Sequence, residues 1–143
     1  MRWLGLADGH IPRAPAGETP DKPRGEFDDA VSQLADVLEE LAPTEVYCPH
    51  PRDGWADHVA ANEITRAAVA IANSRAAASA PGEKGIQLWY YLVWAWLNLP
   101  LKGILALNWR NAVRLNIGGF FDQKQAAIQE YLQETAPGCG KPW

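Results

Sequence analysis

The densest group of chemically reactive side chains in this sequence lies between Val46 and His58. Nine consecutive residues hold two imidazoles, His50 and His58, and two carboxylates, Asp53 and Asp57. A short apolar run precedes the group and an alanine-rich stretch follows it, so the group lies where a predicted strand ends and a predicted helix begins. Open α/β sheets hold their ligands at such positions. We therefore predict a metal site centred on His58.

Each of these side chains also has an ordinary structural explanation, which the sequence alone leaves open. Asp53 could cap the following helix, a role compatible with ligand binding, because a carboxylate accepts hydrogen bonds from the first-turn N–H groups. His50, between two prolines, is either a ligand or a polar residue that faces a cleft. His58 stands beside Asp57, and a carboxylate near an imidazole fixes the tautomer that binds metal. His10 is expected to be a solvated turn residue.

The composition excludes several classes of protein. At 143 residues the chain is long enough for one domain with a single core. Its 13 Lys and Arg against 17 Asp and Glu, without a long basic run, do not provide the charge that nucleic acid requires. Cys48 and Cys139 lack the spacing of a zinc ribbon or a redox pair, and the first residues are too short an apolar run for a signal peptide. These features predict a cytoplasmic protein.

The elements that must position the site alternate between strands and helices. Apolar residues that recur every three or four positions predict amphipathic helices over residues 26–41, 57–79 and 120–134. Strands are predicted at Trp3–Leu6, Glu45–Cys48, Ile86–Leu97 and Ala112–Ile117. The alternation of strands and helices predicts a parallel α/β sheet.

The aromatic stretch Ile86–Leu97 has two interpretations. It is unbroken by charge, which is typical of a strand buried on both faces. The longer window Ile86–Leu107 has about the ~20 residues of a membrane span. Pro100, Lys102 and Gly103 inside that window favour a strand followed by a loop. Attachment to a membrane surface through exposed tryptophans stays open.

The order Asp53-Gly54-Trp55-Ala56-Asp57-His58, after a Pro-His-Pro turn, resembles the Asp-Gly-His-Pro-Asp-His block of the LmbE-like (PIG-L) zinc-dependent N-deacetylases. The segment from Trp3 to Gly9 is similar to the family's strand ending in Leu-Gly-x-x-Asp-Gly, and Lys124 to Gln133 is similar to its closing helix. The resemblance implies a Rossmann-like three-layer, parallel-rich sheet that is incomplete at the N-terminus. Residues 1–136 would form the C-terminal part of one deacetylase domain, and residues 137–143 a loose tail.

The resemblance also implies roles for individual residues. His58 matches the third zinc ligand of the family, and Asp57 matches the carboxylate that orients and tunes the catalytic imidazole. The catalytic His of the family falls at Trp55, which cannot carry a proton. The Ala-His-Pro-Asp-Asp motif, which supplies two zinc ligands and the general base, is absent and is expected in a segment before the first residue. The loop that faces the substrate would contain His50, Asp53 and Trp55.

The function implied is hydrolysis of an N-acyl group, typically acetyl, on an amino sugar or glycoconjugate, with zinc as the cofactor. Because one zinc ligand of three is present, the isolated chain is expected to be inactive. Two alternatives stay open: a non-catalytic remnant that binds a sugar or a partner through its aromatic surface, and a peripheral membrane module that uses residues 89–109. An in-frame His-Pro-Asp-Asp coding stretch upstream of the first codon would favour the enzyme, and a stop codon the remnant.

Overall fold

A computed structural model of the chain describes residues 4–15, 25–80, 82, 84–94, 105 and 107–134. The chain divides into two compact units, residues 1–107 and residues 108–143. The assignment of residues 1–136 to one deacetylase domain stays a prediction, and the predicted tail, residues 137–143, lies outside the described residues.

In its described residues the first unit contains two helices and two strands whose full extent is defined, in alternating order. They are α1 (Glu26–Leu41), β1 (Glu45–Pro49), α2 (Ala56–Ser79) and β2 (Gln87–Tyr91). The helix predicted over residues 26–41 is confirmed at both ends. The helix predicted over residues 57–79 begins one residue earlier, at Ala56.

Local sequence explains where α1 begins and ends. Three acidic residues occupy its first turn, where the helix dipole favours negative charge, and the backbone N–H of Gly25 donates to Asp28 Oδ2 at 3.4 Å. At the other end Ala42 adopts a left-handed conformation, with φ 44°, and its N–H bonds to Leu38 O. Pro43 follows and cannot continue the helix.

β1 and β2 pair in parallel, and α2 makes the crossover between them. The register places Glu45 opposite Gln87 and Pro49 opposite Tyr91. The structure is therefore mixed α/β with a two-stranded parallel sheet in its described part. Because both strands run in the same direction, the loops after Pro49 and Tyr91 leave the sheet at the same edge.

The core lies between α1, α2 and one face of the sheet. Alanines allow the two helices to approach closely, and Ala35 and Ala68 are fully buried. Val46 and Leu88 pack against this cluster from neighbouring positions on the two strands. The buried members of the cluster are Ala30, Val31, Ala35, Leu38, Ile64, Ala68, Val69 and Ala72.

Asn73 joins α2 to the segment that leads into β2. Its side-chain amide donates to Ile86 O at 3.1 Å, and its Oδ1 accepts from Ile86 N at 2.7 Å. These two bonds satisfy both backbone groups of Ile86, just before the strand begins. A Cβ on Gly85 would lie 2.8 Å from Asn73 Oδ1, so an alanine there would force the Asn73 side chain to shift.

The prediction of a strand over Ile86–Leu97 that is buried on both faces is wrong for the residues described. The strand there is shorter, Gln87–Tyr91, and Tyr90 and Tyr91 are 44% and 45% exposed. Leu88 packs against the cluster formed by α1 and α2, whereas Tyr90 and Tyr91, nearer the carboxyl end of the strand, do not belong to that cluster. Residues 95–97 lie outside the described part of the chain.

Two further strand predictions are corrected. Leu4 to Leu6 form no strand, and Gly5 there has a φ of 69°, which is outside the strand region; Trp3 lies outside the described residues. The segment 112–117 is also irregular, although its sequence is rich in β-branched and apolar residues. Val113 and Leu115 are exposed, so no burial supports a strand at this position.

Over its described residues, 108–134, the second unit contains two single 3₁₀ turns and one helix. The turns are Trp109–Asn111 and Gly118–Phe120. The helix, α3, covers Phe121–Glu134 and confirms the helix predicted over residues 120–134 within one residue.

No helix in the described ranges is long and apolar enough to cross a membrane. Part of the window considered as a span, Ile86–Leu107, contains β2 instead, and residues 95–104 of that window lie outside the described ones.

Candidate functional site

The site is built on a short contact between Asp53 and His58. His58 Nδ1 lies 2.5 Å from Asp53 Oδ2. Asp53 is fully buried, whereas the side chain of His58 is 25% exposed. A carboxylate can only accept, so Nδ1 carries the hydrogen and donates it to Asp53. This fixes the tautomer and leaves Nε2 with its lone pair.

The second oxygen of Asp53 holds the loop that follows β2. Asp53 Oδ1 accepts from the backbone N–H groups of Val93 and Trp94, at 2.7 and 2.9 Å. Three described donors thus converge on this buried side chain, so both of its oxygens are hydrogen-bonded, as burial of a polar group requires. Asp53 is therefore not a helix cap: the N-cap residue of α2 is Trp55, and it makes no side-chain capping bond.

The chain reverses between Asp53 and α2 through Gly54. This residue has a φ of 81°, in the left-handed region that glycine adopts without a steric cost. The turn lets the buried Asp53 precede a helix whose first turn returns to it with His58. A spacing of five residues therefore suffices to bring the carboxylate and the imidazole together.

Asp57 has a different contact from the one implied for it. Its Oδ2 accepts from the backbone N–H of Gly9 at 2.5 Å, and the side chain is buried. Glu63, further along α2, accepts two hydrogen bonds from Arg13, at 2.9 and 2.8 Å, and one from Ala14 N at 3.2 Å. These contacts fix the N-terminal loop on α2, so Asp57 acts here as an anchor for that loop.

His50 lies at the start of the loop after β1 and also has a defined tautomer. Its Nδ1 accepts from Arg52 N at 3.0 Å, and its backbone N–H donates to Tyr91 O at 2.8 Å. The imidazole meets the ring of Tyr90 edge to face, with centroids 5.8 Å apart. Burial, followed by the charge of Arg52, lowers the pKa of His50, so it is a neutral polar group at the sheet edge.

Trp55 and Trp94 stack above this edge. Their ring centroids are 5.7 Å apart with an interplanar angle of 26°, and the two residues are 51% and 39% exposed. Trp55 comes directly before α2, and Trp94 is the residue whose backbone Asp53 holds. Local sequence patterns do not predict this pairing, because Trp94 lies in the aromatic stretch Ile86–Leu97, where a strand is predicted.

Asn62 is the polar residue that sequence reasoning missed. It is fully buried, donates to Pro49 O at 2.8 Å and contacts Cys48 Sγ at 3.5 Å, and its Oδ1 has no hydrogen-bond partner. One turn of α2 separates it from His58, and an amide within an alanine-rich helix is the signal that could have revealed it. Burial raises the pKa of the Cys48 thiol, which makes it an inert core residue.

His10 is the solvated turn residue that was predicted. It is exposed, follows the Asp8–Gly9 turn, and places its Nδ1 3.1 Å from Asp8 O. It does not belong to the group around Asp53.

The residues present fit one coordination position of a zinc site and do not fit a complete one. Catalytic zinc takes three protein ligands and a water. In the part of the chain that the structure describes, no group of three or more His, Cys, Asp and Glu side chains could hold a metal ion. His58 has the geometry of a single ligand, since its Nδ1–H leans on a buried carboxylate. Asp53 already bonds three donors.

Comparison with known proteins yields no relative: no protein-family model, no curated protein and no solved structure matches the chain. The resemblance to the N-deacetylases stays a prediction that rests on the residues themselves.

Proposed function

We propose that the chain is part of a zinc-dependent N-deacetylase of the LmbE-like kind and contributes one zinc ligand, Nε2 of His58. The observation that carries the proposal is the buried Asp53 at 2.5 Å from His58 Nδ1, because metal-binding imidazoles commonly donate their other N–H to a carboxylate. A parallel β1–α2–β2 unit with the group at its carboxyl edge is compatible with a Rossmann-like sheet, which we include in the proposal.

The proposal assigns the remaining two ligands and the general base to a segment with a His-Pro-Asp-Asp motif, which these 143 residues do not contain. Bound zinc would supply a water of lowered pKa and polarise the amide carbonyl of the substrate. The chain's own residues orient the zinc ligand and hold the loops around it. Asp53 holds His58 in one tautomer, and Asp57 fixes the N-terminal loop through Gly9.

Trp55 limits what this chain can catalyse. It occupies the position where the resemblance expects a catalytic His, and an indole neither transfers a proton nor stabilises an oxyanion as a cation would. We therefore propose that the chain binds an N-acylated amino sugar or glycoconjugate and, by itself, does not hydrolyse it. A cytoplasmic location is part of the proposal and is supported by Cys48, a buried free thiol.

The test joins the chain to a segment that carries the His-Pro-Asp-Asp motif. The joined protein is expected to bind one zinc ion, and its Trp55→His variant is expected to release acetate from an N-acetylated amino sugar. His58→Ala should abolish both properties, whereas the control variant His10→Ala should retain both, because the exposed His10 ring bonds within its own turn, at Asp8 O. Zinc binding or acetate release that persists in His58→Ala contradicts the assignment.

A further inference from the structure

We propose that Trp55 and Trp94 together form a platform that binds the ring of a neutral sugar beside His58. This inference rests on the proposed function, which assigns His58 as a zinc ligand. The two indoles stack with centroids 5.7 Å apart at 26°. They present outer faces that are accessible, since Trp55 is 51% and Trp94 39% exposed.

The carboxylate of Asp53, which orients His58, also fixes the backbone of the platform residue Trp94. Asp53 Oδ1 accepts the backbone N–H of Trp94 at 2.9 Å, while Asp53 Oδ2 accepts His58 Nδ1–H. Trp55 is the N-cap residue of α2, three positions before His58, so it lies over the same first turn. A ligand meets indoles whose backbones are already positioned, which reduces the entropy lost on binding.

The chemistry of the platform and its surroundings favours a neutral, hydroxylated ring. Exposed indole surface gains free energy when an apolar face covers it, and a pyranose offers such a face of C–H groups with hydroxyls at its rim. At this edge of the sheet the imidazole of His50, whose pKa burial lowers, and the hydroxyls of Tyr90 and Tyr91 are uncharged polar groups. The two charged side chains of the loop, Arg52 and Asp53, are adjacent in sequence.

A nucleotide would also stack on indoles, but its phosphates need cations. The described residues of the two loops, 50–55 and 92–94, contain one basic side chain, Arg52, directly beside Asp53. A sugar therefore matches the charge of this edge better than a phosphate-bearing ring does.

Asp53 accepts hydrogen bonds from both the backbone of Trp94 and the ring of His58. Binding of a ligand to the platform is therefore coupled to the hydrogen bond between His58 and Asp53. A ligand that orders Trp94 strengthens the geometry in which Asp53 accepts from His58, and the effect is reciprocal. The imidazole signals of His58 should therefore respond to a ligand that it does not touch.

The experiment is an NMR titration of the ¹⁵N-labelled chain, without zinc, with a trisaccharide of N-acetylglucosamine. The indole N–H signals of Trp55 and Trp94 should shift saturably at millimolar ligand or below, with a smaller shift of the His58 ring nitrogens. The backbone N–H signal of Ala42, which lies between α1 and the start of β1 at the opposite edge of the sheet, is the internal control and should not shift. Trp55→Ala should weaken binding at least about tenfold, and Trp55→Phe should retain part of it, because a phenyl ring preserves an aromatic face.

The proposal is overturned by the absence of a saturable shift, by an equal shift at the Ala42 N–H, or by unchanged affinity in a Trp55→Ala protein with wild-type circular dichroism. Tighter binding of a nucleotide than of the trisaccharide also overturns it. The absence of any saturable shift would also contradict the proposed amino-sugar ligand, whereas trisaccharide binding that shifts other residues and leaves Trp55 and Trp94 unchanged refutes the platform alone. The zinc ligand role of His58 is tested separately by metal binding.

Discussion

Replacing Asp53 by Asn should change both the stability of the fold and the tautomer of His58. The carboxylate accepts from Val93 N, Trp94 N and His58 Nδ1. The amide keeps one oxygen for the two backbone donors but points an NH₂ group at Nδ1. His58 must then accept at Nδ1 and carry its hydrogen on Nε2.

The size of the effect follows from these contacts. Hydrogen bonds to a charged acceptor contribute roughly 1.5–3 kcal/mol, and neutral ones about 0.5–1.5 kcal/mol. Asp53→Asn keeps all three contacts in neutral form, so we expect a loss of about 1–3 kcal/mol in the free energy of unfolding. Asp53→Ala leaves the three donors without an acceptor, and we expect roughly 3–5 kcal/mol.

Urea denaturation monitored by circular dichroism measures the free energy, and ¹⁵N chemical shifts of the imidazole report the tautomer. The matched control is Asp36→Asn. Asp36 is exposed, and its partner Arg75 retains its ion pair with Glu39, at 2.6 Å, in the variant. The expected loss in the free energy of unfolding is therefore under about 1 kcal/mol. If Asp53→Asn resembles this control in stability and leaves the hydrogen of His58 on Nδ1, the reasoning about the buried pair is refuted.

Three further predictions concern the surroundings of the site. Hydrogen bonds from Arg13 lower the pKa of Glu63, so this pair stabilises the fold above pH 4.5, and its contribution disappears as the pH falls below that value. The free energy of unfolding, measured from about pH 6 to about pH 3, should therefore depend less on pH in Glu63→Gln than in the wild type. Burial lowers the pKa of His50, so its neutral form stabilises the fold above pH 6.5 and stability falls as the pH drops through that value; a parallel series should show less of this loss in His50→Gln. Gly85→Ala should cost about 1–2 kcal/mol in urea denaturation, because its Cβ displaces Asn73 from its two hydrogen bonds, whereas an alanine at Gly119, where no atom lies within 4 Å of the added Cβ, should leave that interaction intact.

The helices of this protein could be predicted from the sequence because local signals define them. α1 has acidic residues in its first turn, a periodic apolar stripe and Pro43 after its end, and the predicted bounds are those observed. β1 is also local, a short run that ends at prolines. Such elements need no knowledge of distant partners.

The strands that failed depend on partners that the sequence does not identify. The segment 112–117 has the composition of a strand, but its side chains are exposed and it forms no ladder. The aromatic stretch after Ile86 was expected to be buried on both faces, whereas the described helices cover one face of the sheet. Burial is set by tertiary packing, and composition alone does not determine it.

The sequence indicated His50, Asp53, Trp55, Asp57 and His58 as candidates. It did not indicate Asn62 or Trp94, nor the hydrogen bonds that these residues make. His58 was expected to lean on the adjacent Asp57, and it contacts Asp53 instead, because residues adjacent on a helix point in different directions. The backbone N–H of Gly9 donates to Asp57, and the backbone N–H of Trp94 donates to the second oxygen of Asp53. Both contacts span about forty residues or more of sequence, and no local pattern predicts them.

The most direct test of the central proposal is a zinc titration of the isolated chain that follows the ring nitrogens of all three histidines by ¹⁵N NMR. We expect weak binding, with a dissociation constant of ~1 µM or higher, because one ligand of three is present. The response should occur at Nε2 of His58 and disappear in His58→Ala. Tight, stoichiometric zinc that survives His58→Ala, or a response at His50 or His10 instead, would contradict the proposal.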